Sequence, residues 1–146
     1  MRRLPPLQPN GKSHAMIAID TNVLVRFLVQ DDPAQAALAG QVISGLSVDA
    51  PGFVSREVMV EIVWVLERAY RCTRVQVADA LDGLLAASEI EIEASDDIGL
   101  AVFRYRNDGF GFADQMIAAA ARRAGASELV TFDRKAARIE GVRLLG

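Results

Sequence analysis

Four carboxylates, Asp20, Glu61, Asp114 and Asp133, each fall where the sequence places a strand end or a helix in an otherwise apolar stretch. A charged carboxylate in such surroundings is costly unless something positive meets it, so several together call for a cation. The donors are all oxygen, which suits a hard divalent ion. Such an ion lowers the pKa of a bound water and so makes a nucleophile for hydrolysis.

The elements that must position these acids can be read around them. Met16-Ile17-Ala18-Ile19 is a short buried strand, followed at once by Asp20-Thr21-Asn22 and the apolar run Val23-Leu24-Val25. Leu129-Val130-Thr131-Phe132 repeats the arrangement, with Asp133 at the strand end and Arg134-Lys135 after it. In open parallel sheets ligands bind beyond the carboxyl ends of strands, which puts both aspartates on one edge. Glu61 lies inside the apolar segment from Val58 to Leu66. At helical spacing Val58, Ile62 and Val65 flank it, which points the carboxylate toward apolar packing. Asp114 opens the alanine-rich helix that runs on to Ala121, behind Gly109-Phe110-Gly111-Phe112. Each acid also has a plain explanation: Asp114 as a helix cap, Asp20 and Asp133 as turn formers, Glu61 in an internal salt bridge.

The rest of the chain alternates helices and strands without repeats. Asp32-Pro33 starts a helix through Leu46, with Pro at its first position. Gly52-Phe53-Val54 is a strand, Ser55 caps the Glu61 helix, and Thr73-Arg74-Val75-Gln76 has capping-box spacing ahead of a helix to Ala87. Glu89-Ile90-Glu91-Ile92-Glu93 alternates as a half-buried strand does, with its glutamates on a solvated face. A helix from Asp96 to Arg106, the Asp114 helix ending at Gly125, and a final strand from Val142 to Leu145 complete the order. Strands separated by helices imply an α/β fold with a mainly parallel sheet covered on both faces.

Taken together, Ile19-Asp20-Thr21-Asn22-Val23-Leu24-Val25, Glu61 in its apolar helix, Phe112-Ala113-Asp114, and Val130-Thr131-Phe132-Asp133 resemble the PIN-domain ribonucleases, among them the VapC-type toxins of bacterial toxin–antitoxin pairs. The resemblance runs from Met16 to the end. It implies a PIN-like three-layer α/β/α sandwich over residues 16–146 and a metal-dependent endoribonuclease whose acidic quartet, Asp20, Glu61, Asp114 and Asp133, holds Mg²⁺ or Mn²⁺. The ion would orient water for in-line attack on phosphorus. Asp20 and Asp114 are assigned as the more direct ligands, and Glu61 and Asp133 as water-holding or base-like partners. Gly111 and Lys135 stand where many members carry a further acid, which leaves one or two metal ions open. The implied partners are an RNA substrate, a cognate antitoxin covering the site, and a second copy in a homodimer. An RNA-processing nuclease without a toxin role, or a protein-binding module with a decayed site, are the alternatives. Val23, Leu24, Phe27, Leu28, Val58, Ile62 and Val65 are the expected walls of the antitoxin groove. Thr21, Asn22 and Thr131 are expected either to donate to the carboxylates or the scissile phosphate or simply to close their turns; Arg26, Arg134 and Lys135 can contact RNA phosphates.

Composition narrows the field. At 146 residues the chain suits one domain, able to bury roughly 68–70% of its unfolded surface, and 51% of it is hydrophobic. A formal charge of −3 excludes a typical basic nucleic-acid binder. Cys72 is the single cysteine, which excludes an internal disulfide and zinc-ligand spacing and fits a reducing cytoplasm. Residues 1–15 carry three prolines and no apolar core, so they read as a disordered leader rather than a signal peptide or membrane span, and His14 within them has no partner His. Asp20-Thr21 is partly similar to the nucleophile of haloacid-dehalogenase-like phosphatases, but Asn22 stands where their second Asp belongs. Gly109-Phe110-Gly111 lacks the third glycine of a dinucleotide loop.

Overall fold

The computed structural model describes residues 15–146. The expected leader, His14 included, lies outside the described residues except for Ala15. The elements follow in the order β1 (Ile17–Ala18), α1 (Thr21–Val29), α2 (Pro33–Ser44), β2 (Gly52–Val54), α3 (Arg56–Arg68), α4 (Arg74–Ala86), β3 (Ile90–Ile92), α5 (Ser95–Asn107), α6 (Phe112–Arg123), β4 (Leu129–Thr131), a 3₁₀ turn (Ala136–Arg138) and β5 (Val142–Leu144).

The helices start where capping chemistry places them. Asp32 accepts from the Gln35 amide ahead of Pro33, and Ser55 accepts from that of Val58. Thr73 and Gln76 close a capping box, each side chain bonding the other's backbone N–H. Helices α3, α4 and α5 each bury one stripe at helical spacing: Met59, Ile62, Val63 and Leu66 in α3; Val77, Ala78, Leu81 and Leu84 in α4; Ile98, Ala101, Val102 and Tyr105 in α5. These stripes join Leu24, Val54 and Phe112 in one core. α4 packs on α5, α5 on α6, α1 on α2 and α3, and α3 on α6.

Every strand pairing is parallel, and the strands form two sheets, β1-β2-β3 and β4-β5. The architecture is the expected mixed α/β type, six helices with parallel sheet among the described residues. It departs from expectation in its cover: β1 is an edge strand with both side chains exposed, Ile17 at 46%. Among the described residues β1 has a ladder partner on one side only, at β2.

Two polar expectations change as well. Glu93 is not simply solvated, because Oε1 accepts from the backbone N–H of Arg56 at 3.0 Å and from its Nε at 3.3 Å. Those donors at the start of α3 hold the Glu93 carboxyl below its usual range. Arg26 is engaged internally: Nη1 donates to Asp31 at 3.0 Å and Tyr70 at 3.1 Å, Nε to Gln35 at 2.6 Å, and Tyr70 in turn donates to Asp31 at 2.9 Å. That network fastens the α1–α2 turn and leaves Arg26 uncommitted to phosphate.

Candidate active site

α6 begins at Phe112 behind Gly111, which as N-cap offers no capping side chain, and Asp114 sits in its first turn. The positive end of the helix favours an anion there. The Asp114 carboxyl nevertheless binds its proton more tightly than usual, because partial burial strips its water and the Asp133 carboxylate repels its charge, with Lys135 opposing both. Asp114 and Asp133 are thus within electrostatic reach of each other, one from a helix start and one from the turn after β4. The carboxylate of Asp114 also folds toward Gly111, where an added Cβ would come within 2.8 Å of Oδ2. Absence of a side chain at 111 leaves that space to Asp114.

Asp133 is exposed and shaped by its turn. Its backbone N–H donates to Thr131 Oγ1 at 3.0 Å, while its Oδ1 accepts from Lys135 N–H at 2.8 Å and Ala136 N–H at 3.0 Å. Thr131 therefore closes a turn, and the second oxygen of Asp133 makes no hydrogen bond among the described residues. Asp20 is exposed at the N-cap of α1, with Oδ1 accepting from Thr21 N–H at 2.8 Å. Directly behind it Thr21 is 5% exposed, and its hydroxyl has no hydrogen-bond partner among the described residues.

Glu61 corrects the sequence reading. It is exposed, not turned toward the core, because α3 buries the stripe Met59, Ile62, Val63, Leu66 and so presents Glu57, Glu61, Trp64 and Arg68 on its opposite side. Glu61 there lines an open groove of about 520 Å³ between α3 and α6, together with Val60, Trp64, Ala113, Met116 and Ile117. Ala113 and Met116 flank Asp114, so the groove joins Glu61 to the first turn of α6. Of the walls expected from sequence, Leu24 and Ile62 are fully buried, Val23, Phe27, Leu28, Val58 and Val65 are partly buried against the core, and none of them lines this groove.

The structure thus couples Asp114 to Asp133, relates Glu61 to α6 through the groove, and leaves Asp20 at the start of α1. Among the described residues no three His, Cys, Asp or Glu side chains close into a metal-binding group. The donor set fits a hard divalent cation all the same. It is all oxygen, and one carboxyl is partly desolvated and feels the charge of a second.

The parallel α/β fold carries acids after β1 and β4 and at the start of α6. The sequence matches the PIN domain over residues 17–142, a span that contains all four acids, and the chain belongs to that family. Members are generally metal-dependent nucleases. A search of curated proteins finds no significant match.

Sequence reasoning missed Trp64, Ile117 and Arg74. Trp64 was legible in part, since Glu57, Glu61 and Trp64 share one helical stripe once α3's buried face is known. Arg74 gave no signal beyond its place in the capping box.

Proposed function

We propose that the protein is an endoribonuclease that hydrolyses RNA phosphodiester bonds with Mg²⁺ or Mn²⁺, using Asp20, Glu61, Asp114 and Asp133, and that it serves as the toxin of a toxin–antitoxin pair. The observation that carries the nuclease reading is the PIN-domain match over residues 17–142, a span that contains all four acids. Asp114 and Asp133 would hold the ion, with Asp20 and Glu61 completing the oxygen donors. The ion when bound supplies charge that polarises water and phosphate oxygens.

The chain's own residues prepare the place. Backbone N–H groups of Lys135 and Ala136 hold one oxygen of Asp133 and leave the other available. Asp114 is fixed on a helix start in a partly dry position, where its interactions are screened less than in bulk water. Glu61, on the wet side of α3, would accept a proton from water. Arg134 and Lys135, both exposed and without an ion pair among the described residues, can meet RNA phosphates.

The decisive experiment is cleavage of RNA by purified protein with Mg²⁺ or Mn²⁺ and in chelator, for wild type, Asp20→Asn and Asp114→Asn. Cleavage should need the ion and vanish in both folded variants; full activity in either removes the site.

The toxin reading rests on the groove. Its apolar floor of Val60, Trp64, Met116 and Ile117, rimmed by Glu57 and Glu61, suits an amphipathic antitoxin segment with a basic side chain reaching the acids. Co-expression with the small protein encoded next door should give a stable complex with suppressed cleavage. An active, freely tolerated protein with no inhibitory neighbour would sink the toxin role and leave the nuclease. A homodimer belongs to the same proposal and is read by sedimentation.

A further inference from the structure

Arg74 opens α4, yet its side chain serves the connection between α5 and α6. Nη1 donates to the carbonyl of Tyr105 at 2.9 Å and that of Phe110 at 3.0 Å, and Nη2 to that of Gly109 at 3.1 Å. The guanidinium carbon lies 4.3 Å from the ring centroid of Tyr105. These carbonyls come from the frayed end of α5 and the loop beyond it, where no helical N–H remains to satisfy them. A planar fork with fixed donors can gather three of them; an ammonium cannot do so with the same geometry.

What the fork holds leads to both acids of the couple. Phe110 is followed by Gly111, the N-cap of α6, whose carbonyl accepts from Gln115 N–H at 3.2 Å. Phe112, the first residue of α6, packs edge-on against the Tyr105 ring with centroids 6.4 Å apart. Tyr105 is itself fixed, fully buried, with its hydroxyl donating to Glu67 at 2.7 Å. On the other side, the Phe110 ring receives the Arg138 guanidinium at 5.9 Å. Arg138 ends the 3₁₀ turn that Asp133 nucleates. The loop therefore bridges the helix start that carries Asp114 and the turn that carries Asp133.

We propose that Arg74 is a positioning residue of the acidic site, setting the spacing of Asp114 and Asp133 by holding the carbonyls of Tyr105, Gly109 and Phe110. This rests on the metal-dependent nuclease reading. Arg74 touches neither acid and acts through the loop.

The test uses the full chain as wild type, Arg74→Lys, which keeps the charge and loses the fork, and Asp114→Asn. Mn²⁺ affinity by calorimetry should fall roughly 10- to 100-fold in Arg74→Lys, the range for residues that orient metal ligands. Amide exchange at residues 109–113 should accelerate about tenfold while the buried amides of α4 and α5 stay protected. RNA cleavage should lose kcat with KM unchanged. Mn²⁺ affinity equal to wild type in Arg74→Lys, or exchange accelerated uniformly over the whole chain, would overturn the role of Arg74. Wild-type Mn²⁺ binding no tighter than that of Asp114→Asn would instead overturn the nuclease reading itself, so the two failures are distinct.

Discussion

Asp114 is the acid whose surroundings work against its charge, and that has a measurable sign. An aspartate that binds its proton more tightly in the folded state favours folding fully below the ordinary aspartate range, and this contribution is lost as pH rises through the raised value. Asp114→Asn should therefore melt higher than wild type at neutral pH in chelator, with the gap closing as pH falls into the acid range. A thermal melt at both pH values checks it, and a lower melting temperature at neutral pH would contradict the Asp133 repulsion. Mg²⁺ should reverse the order: binding only to the native wild type adds about 2.7 kcal/mol at a hundredfold excess over Kd, and Asp114→Asn should gain little. The placement of Asp114 at a helix start and of Asp133 after a strand was legible because a short apolar strand and an alanine run mark those elements. The orientation of Glu61 was not. Nearly every neighbour from Val58 to Leu66 is apolar, so the helical period alone does not say which stripe faces inward; the strands and helices packed against α3 decide that.

At the scale of elements, the caps were the most readable feature. The Thr73–Gln76 box and the Ser55 cap each satisfy N–H groups from within a few residues, so the pattern carries its own partner. Thr73→Ala should cost about 1 kcal/mol in denaturant unfolding, and because Thr73 fixes the start of α4 it should also loosen the loop that Arg74 holds. An unchanged midpoint would show that the box contributes nothing. Strand pairing was less readable. The alternation of Glu89 to Glu93 announced β3 but not that Glu93 would meet Arg56, and nothing in Leu129-Val130-Thr131 says that β4 pairs with β5 in a sheet of its own. Partners distant in sequence settle those questions.

For the whole molecule, the acidic net charge and the groove bear on partners more than on folding. Among the described residues no helix is long and apolar enough to cross a membrane. The groove leaves Trp64 59% exposed and Ile117 55% exposed, beside Glu61. Large apolar residues clustered at a rim of acids are the sort of surface where an interface concentrates its binding energy. Trp64→Glu or Ile117→Glu should weaken a docked antitoxin segment by roughly 2 kcal/mol or more in a titration, whereas Leu38→Glu, on the α1–α2 side, should leave it unchanged. Equal losses from all three would place the contact elsewhere.

Trp64 is the only tryptophan in the chain, which gives the groove an optical voice of its own. An indole already facing water in the native protein has little further to travel when the chain unfolds, so its emission maximum should barely move red in denaturant. Covering it with an apolar surface moves it into a drier setting, and the emission should shift blue. Ultraviolet fluorescence, insensitive here to folding, would then report occupancy of the groove almost alone.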